Sequence, residues 1–271
     1  MNLYHDTFRV HQSTNIEDKT TGAKELLTIV ENEKLWEFNH TQSAILEAPG
    51  TPVSITLVHP SKLKKRSLRN PDGRAALLHA IAHIEFNAIN LALDAALRFF
   101  NTPREYISDW IAVAADEARH FGLLRKRLRE LNYDYGDFPA HNGLWAIAEK
   151  ASTDPLTRMG IVPKVLEARG LDVTPAMHRA FIDVGDHKSA DILALILREE
   201  IGHVAIGNRW FHYFCAREKL DSETTFESLL IQHCRGSVRG PFNREARLQS
   251  GFSESELEIL ERLSPHNKNT T

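Results

Sequence analysis

The sequence contains three Glu-x-x-His motifs, a pattern that can bind a metal ion when it lies on a helix. They are Glu117–His120, Glu200–His203 and Glu37–His40. A step of three residues turns an α-helix by about 300° and advances it by about 4.5 Å, so both side chains project from the same face. With 22 Glu and 14 His in 271 residues, about one such motif is expected by chance, so the motif alone identifies no site.

The neighbouring residues separate two of these motifs from the third. Glu117 lies on the apolar stripe that contains Phe121, and Glu200 lies on the stripe that contains Val204. A carboxylate that faces an apolar core costs several kcal/mol unless it is paired or bound to a metal. Glu37 lies in a short charged segment without such a stripe. We therefore interpret the two later motifs as candidate metal ligands and the motif at Glu37 as the chance match.

Each of these two motifs has another carboxylate upstream at nearly the same interval. Glu85 precedes Glu117 by 32 residues, and Glu167 precedes Glu200 by 33. The two sets are offset by 82 residues at the first Glu and by 83 at the second Glu and the His, as expected for two copies of a helical hairpin. Glu149 is the alternative to Glu167, although its interval of 51 residues to Glu200 departs from the repeat.

These residues match the ligand pattern of di-iron and di-manganese carboxylate proteins. In that pattern a four-helix bundle supplies one Glu from each of two helices and a Glu-x-x-His from each of the other two. Carboxylate oxygens and imidazole nitrogens suit iron or manganese, and ligand type also permits zinc. We expect two iron ions, with manganese or a mixed pair as alternatives, and the candidate ligands are Glu85, Glu117, His120, Glu167, Glu200 and His203.

An acidic residue, Asp116 or Glu199, precedes the Glu of each motif. A metal-bound His usually donates its second N–H to a carboxylate. We predict that Asp116 and Glu199 accept such a hydrogen bond from the His of the opposite helix, and that Arg119 balances charge. The alternative is that these residues form ordinary surface ion pairs.

The motifs Asp116-Glu117-Ala118-Arg119-His120 and Glu199-Glu200-Ile201-Gly202-His203 resemble those of the ferritin-like di-iron superfamily. That superfamily includes ribonucleotide reductase small subunits, bacterial multicomponent monooxygenases, rubrerythrins and a tRNA-modifying hydroxylase. The chain is most similar to an uncharacterised bacterial family of ferritin-like proteins with a domain of unknown function, through residues 78–85, 137–141, 166–175 and 240–243. The resemblance covers about residues 70–250. It implies the bundle and its metal ligands, and it implies no particular reaction.

Apolar spacings of three and four residues predict an all-α fold, with a ferritin-like four-helix bundle and additional N- and C-terminal helices. We expect an N-terminal extension over 1–70, the di-metal bundle over 71–218, and a helical extension over 219–271 packed on the bundle. Predicted helices cover about 22–39, 144–151, 156–168, 187–216 and 226–234, besides the two long helices before and after Pro103.

Local signals predict where several helices begin and end. Pro103, Asp154–Pro155 and Thr174–Pro175 are start signals, and Gly185 ends a short helix. Pro163 should kink or divide the helix that contains it. Ser253 and Glu256 have the spacing of a capping box, which predicts a last helix.

His79 and His83 could form an additional metal-binding pair because they are one helical turn apart. His83 is two residues from Glu85 and so points to a different side of the helix. We expect both histidines to pack or to form hydrogen bonds. Cys215 and Cys234 are expected to be small core residues, since no partner that would activate a thiol is evident.

Composition is typical of a soluble globular protein. Hydrophobic residues make up 42% and charged residues 25%, and the net charge of −3 excludes a chain-wide attraction to nucleic acid or anionic membranes. Apolar runs reach only six residues, as in Ile192–Leu197, so neither a signal peptide nor a membrane span is expected. Two cysteines fit a reducing compartment, and we expect a cytoplasmic protein.

The basic run Lys62–Arg69 is interpreted as a solvated loop because it lacks aromatic residues.

The expected function is an oxidoreductase that uses O₂ to hydroxylate or oxidise an unidentified small-molecule substrate, with electrons from an unidentified donor. One alternative is a non-enzymatic protein that stores or buffers iron or is stabilised by its metal. The length argues against a ferritin cage subunit, since one bundle needs far fewer than 271 residues. Hydroxylation of a tRNA base is a third candidate and depends on the basic run. A homodimer is compatible with each of these functions.

Overall fold

The structure, a computed structural model, describes residues 2–32, 36–38, 48–63, 67–234, 236 and 238–264. Within these ranges the chain forms α-helices, one turn of 3-10 helix at Pro60–Lys62 and one π-helical segment at Val162–Glu167, and no strand. This confirms the all-α prediction. The α-helices are α1 (Leu3–Gln12), α2 (Ile16–Glu31), α3 (Pro71–Arg98), α4 (Arg104–Glu130), α5 (Gly143–Lys150), α6 (Pro155–Ile161), α7 (Ala168–Asp183), α8 (His187–Glu218), α9 (Ser222–His233), α10 (Arg244–Gln249) and α11 (Glu254–Leu263).

The chain forms two compact units, Met1–Trp145 and Ala146–Thr271. In the first unit, α3 and α4 pack along each other as a hairpin, α2 packs on α4, and α1 lies against α2 and α3. In the second unit, α7 and α8 form a hairpin that is contacted by α6, the π-helical segment and α10. Each unit therefore contains one helical hairpin. The expected division at residues 70 and 218 stays a prediction.

Helix α3 is the core helix of the first unit. The Asn70 side chain caps it by accepting a hydrogen bond from the N–H of Gly73, and Pro71 occupies the first helical position. Among the described helices, α3 alone is long and apolar enough to cross a membrane, but 78% of its most apolar window is buried inside the protein. That burial is consistent with a soluble protein. Helix α4 begins directly after Pro103, as predicted.

The predicted bounds of the N-terminal helix, 22–39, are wrong. Helix α2 begins at Ile16, six residues earlier, because Asn15 caps it by accepting a hydrogen bond of 3.0 Å from the N–H of Asp18. Contrary to the prediction, Gly22 does not begin the helix but lies inside it at a close helix–helix contact. A Cβ atom there would lie 2.6 Å from a methyl carbon of Val10. Gly22 allows α1, a helix absent from the sequence prediction, to pack closely on α2.

The predicted helix start at Thr174–Pro175 is also wrong, because α7 continues through Pro175. A proline has no N–H, so it leaves the carbonyl four residues earlier without its helical donor. That carbonyl belongs to Leu171, and it accepts a hydrogen bond of 3.1 Å from the Asn243 side chain. A residue distant in sequence therefore replaces the hydrogen bond that Pro175 removes.

Other local signals are confirmed. Asp154 caps α6 by accepting from the N–H of Thr157 at 2.8 Å. Gly185 has φ +73°, and the N–H groups of Gly185 and Asp186 bond back to the carbonyls of the last turn of α7. Both hydrogen bonds of the capping box between Ser253 and Glu256 are present at the start of α11.

Lys19 is a fully buried lysine in the first unit. Its ammonium donates to the carbonyls of His11 and Gly50 at 2.8 and 3.0 Å and to the Asn90 side chain. These acceptors are neutral, and burial lowers the pKa of Lys19 to about 7.

This burial predicts a specific dependence of stability on pH. Between about pH 7 and the ordinary lysine pKa of 10.5, the unfolded chain binds a proton that the folded chain does not, so the unfolding free energy rises with pH by about 1.4 kcal/mol per unit. Lys19→Met should remove this rise. Urea unfolding of both proteins at pH 7, 8 and 9 measures it, and a pH-independent difference between them would contradict the assignment.

Candidate metal centre

Helices α3 and α4 bring three of the predicted ligands together. Glu85, Glu117 and His120 are 5%, 1% and 0% exposed, and each offers a ligand atom that lies within 4.8 Å of those of the other two. His120 Nδ1 lies 3.2 Å from Glu85 Oε2 and 3.6 Å from Glu117 Oε2. We call these three residues the first ligand group. It is a buried Glu/His cluster that could bind a metal ion.

The second motif, on α8, has the same internal geometry. Glu200 and His203 are both buried, and His203 Nδ1 lies 3.4 Å from Glu200 Oε1. In both motifs Nδ1 therefore faces the carboxylate one turn earlier. Glu167 is the last residue of the π-helical segment and is half-buried, whereas Glu149, its alternative, is exposed on α5.

The donor atoms of the first ligand group fit a metal cation. Two carboxylates this close together in a buried site repel each other unless a proton or a cation lies between them. Two oxygens and one imidazole nitrogen are ligands that iron, manganese and zinc accept. The group therefore has the chemistry of a site that could bind a metal ion.

Comparison with known proteins gives the family. The family described as "Protein of unknown function (DUF455)" matches residues 12–258. The chain belongs to this family. An uncharacterised protein of Haemophilus influenzae is 44% identical over 226 residues, which cover 81% of this chain and 77% of that protein. No solved structure matches the chain.

The π-helical segment is an irregular element of this DUF455 chain. Pro163 divides the predicted helix 156–168, as expected, and the backbone widens there instead of breaking. The segment packs directly on α8 at Gly207, where a Cβ atom would lie 2.1 Å from the Pro163 ring. Because Glu167 ends this segment, the packing of Pro163 on Gly207 positions a predicted ligand.

Two buried cations that the sequence analysis missed fix the same segment. Lys164 donates to Glu256 at 2.7 Å and to Asn208, and both ends of the ion pair are fully buried. Arg247 donates to Asp172 at 2.8 and 2.9 Å and also reaches the Lys164 and Ala168 carbonyls. No local signal identifies these cations, because their carboxylate partners are more than 70 residues away.

We predict opposite effects of alanine at two glycines of α8. Gly207→Ala should destabilise the protein by about 1–3 kcal/mol, because the new methyl group overlaps Pro163. Gly202→Ala is the matched control: nothing lies within 4 Å of its Cβ position, so higher helix propensity should stabilise the protein by up to about 1 kcal/mol. Urea unfolding measures both. Equal effects at the two positions would show that the contact with Pro163 is not tight.

His79 and His83 form hydrogen bonds, as expected, and they attach the segment 131–142 to α3. His79 Nε2 accepts from the N–H of Gly136 at 2.9 Å. His83 Nδ1 is 2.7 Å from the Tyr135 hydroxyl, and burial lowers the pKa of His83 to about 4. The imidazole is therefore neutral at physiological pH.

The residues beside the motifs are only partly buried. Arg119 pairs with Asp116 at 2.8 Å, with side-chain exposures of 39% and 46%, and Glu199 is half-buried. Hydrogen bonds from the ligand histidines to Asp116 and Glu199 stay a prediction. Cys215 and Cys234 are buried, as expected.

Two further sequence features lie partly outside the described residues. Glu37 is exposed, whereas His40 is not among the residues that the structure describes. The centre of the basic run, Lys64–Arg66, also lies outside them.

Proposed function

We propose that this chain is a dinuclear iron or manganese carboxylate protein and an O₂-dependent oxidoreductase. In this proposal α3, α4, α7 and α8 form a ferritin-like four-helix bundle over about residues 71–218. The metal ligands are Glu85, Glu117, His120, Glu167, Glu200 and His203. The observation that carries the proposal is the first ligand group, three buried acidic and imidazole side chains whose ligand atoms lie within 4.8 Å.

Two further observations support the dinuclear arrangement. The Glu-x-x-His motif recurs in the second unit with the same contact between Nδ1 and its carboxylate. The π-helical segment that carries Glu167 is also of a kind that occurs frequently at functional sites. Lys164 and Arg247 hold its widened backbone in place. This supports the proposal that Glu167 must occupy a fixed position.

Two bound iron ions would supply electrons to O₂ and thereby the oxidising power for hydroxylation or dehydrogenation of an organic substrate. The protein's part is to hold the ligands and to exclude water. Glu85 and Glu117 would neutralise charge on a bound metal. His120 would provide Nδ1, which faces both carboxylates, as a further ligand atom. Exposure of 5% or less for all three residues keeps most bulk water from the site.

The test is to load the purified full chain with Fe(II) anaerobically, admit O₂, and follow iron content, absorbance and oxygen uptake. Uptake that stops after one turnover and resumes after the protein has been re-reduced anaerobically and freed of the reductant supports an oxidase or hydroxylase. Continuous accumulation of ferric iron beyond two ions per chain would instead indicate storage. Failure to bind iron or manganese, or bound metal indifferent to O₂, overturns the proposal.

A further inference from the structure

A cleft of about 250 Å³ lies between α2 and α4 in the first unit. Its lining includes four cationic side chains, the Glu17 carboxylate and Thr20, and its buried floor is apolar. The cations are Lys24, Arg125, Lys126 and Arg129, and the buried floor is formed by Ala118 and Phe121. We call these six residues the cationic cleft.

Two of the four cations are already neutralised. Arg125 donates to both carboxylate oxygens of Glu17 at 2.8 and 2.9 Å and to Asp134 at 2.7 and 3.1 Å. Arg129 donates to the same Asp134 at 2.9 and 3.1 Å. Lys24 and Lys126 are exposed and supply the remaining positive charge. The cleft is thus positive on a chain whose net charge is −3.

The cationic cleft lies next to the first ligand group along α4. Its floor residues Ala118 and Phe121 directly follow Glu117 and His120 in sequence. Arg125 is five residues beyond His120, which is about 7.5 Å along the helix axis. Gly122 also lines the cleft, and nothing lies within 4 Å of its Cβ position, so no side chain covers the floor there.

The proposed reaction needs electrons from outside the chain. Hydroxylation consumes one O₂, two electrons and two protons for each substrate C–H bond, and it yields the alcohol and water. The chain has only two cysteines, too few for the four-cysteine ligation of an iron–sulfur cluster, and no glycine-rich phosphate loop typical of flavin binding. We therefore take the donor of the two electrons to be a separate molecule.

We propose that the cationic cleft is the docking surface for an acidic one-electron carrier protein. This inference rests on the proposed function. Two exposed lysines beside a cleft whose apolar residues are buried suit a small, transient, electrostatically steered interface of the kind that redox proteins use. The Arg125 guanidinium is not available to a small phosphate, since its Nε, Nη1 and Nη2 already bind Glu17 and Asp134, and this favours a protein partner over a bidentate phosphate site.

The first experiment measures binding with the full metal-loaded chain and two labelled probes, an acidic plant-type ferredoxin and an acidic flavodoxin. We expect at least one probe to bind with an affinity that falls as salt rises, and Lys24→Glu/Lys126→Glu to weaken this binding at least tenfold. Lys150→Glu, a charge reversal at an exposed lysine on α5, should bind the probe with the same affinity as the wild type. Circular dichroism and metal content check that the double variant is folded.

The second experiment measures the rate at which the bound probe, once reduced, transfers electrons to the metal-loaded chain. We expect this rate to fall in the double variant and not in Lys150→Glu. Equal binding by all three proteins, or binding of neither probe, overturns the inference. So does inorganic phosphate that binds at the cleft while both probes fail, because the cleft is then a small-anion site. Wild-type protein that takes up O₂ after anaerobic re-reduction and removal of the reductant, but accepts electrons from neither probe, leaves the proposed function standing, whereas absence of bound metal refutes both.

Discussion

Glu117→Ala should reduce the affinity for iron or manganese by at least about tenfold, because it removes a buried charged ligand from the first ligand group. Glu200→Ala should have a comparable effect if the two motifs share one dinuclear site. Elemental analysis after equilibrium dialysis measures the loss. Glu37→Ala is the matched control, since Glu37 belongs to a Glu-x-x-His motif but is exposed, and its metal content should equal that of the wild type.

Thermal unfolding gives an independent signature of the same site. Without metal, Glu117→Gln should be at least as stable as the wild type, because it removes one of two buried carboxylates that repel each other. With saturating metal the wild type should gain stability, because metal that binds only the folded state stabilises that state. The variant should gain much less, because it binds metal more weakly. Equal metal-induced shifts in both proteins, or full metal occupancy in Glu117→Ala, would exclude Glu117 as a ligand.

Lys164→Met should destabilise the protein by about 3–5 kcal/mol, because it leaves the buried Glu256 carboxylate without its cation. Urea unfolding followed by circular dichroism measures this loss. Part of the damage should be local: the lysine donates to Asn208 as well as Glu256, and it lies in the π-helical segment that ends at Glu167. Metal affinity should therefore fall together with stability.

A second substitution separates charge from packing at this ion pair. Glu256→Gln removes the charge but keeps an amide oxygen that can accept the capping-box hydrogen bond from Ser253. Lys164→Met/Glu256→Gln should recover more than half of the stability lost by Lys164→Met. Lys150→Met, at an exposed lysine, should change stability by less than about 0.5 kcal/mol. If Lys164→Met costs no more than Lys150→Met, the buried ion pair is not formed.

Most helices of this fold could be predicted because their signals are local. Asp154 with Pro155 and Ser253 with Glu256 place a cap and its partner within one turn, and the structure contains both caps. The two wrongly predicted helix starts, at Gly22 and at Thr174–Pro175, lie where a residue distant in sequence changes the local structure. Pro175 remains inside α7 because Asn243 replaces the missing hydrogen bond, and Gly22 lies inside α2 because α1 packs on it.

The sequence by itself determined the helical hairpins and the candidate ligands, because helical periodicity and the repeat of 82 to 83 residues depend only on residue type and spacing. It predicted that Glu85, Glu117 and His120 share one hairpin, and these three residues do meet. Only the tertiary structure decided how the π-helical segment is supported, through Lys164 with Glu256, Arg247 with Asp172, and Pro163 on Gly207. Such contacts join residues far apart in sequence, and their energy depends on burial that no local pattern specifies.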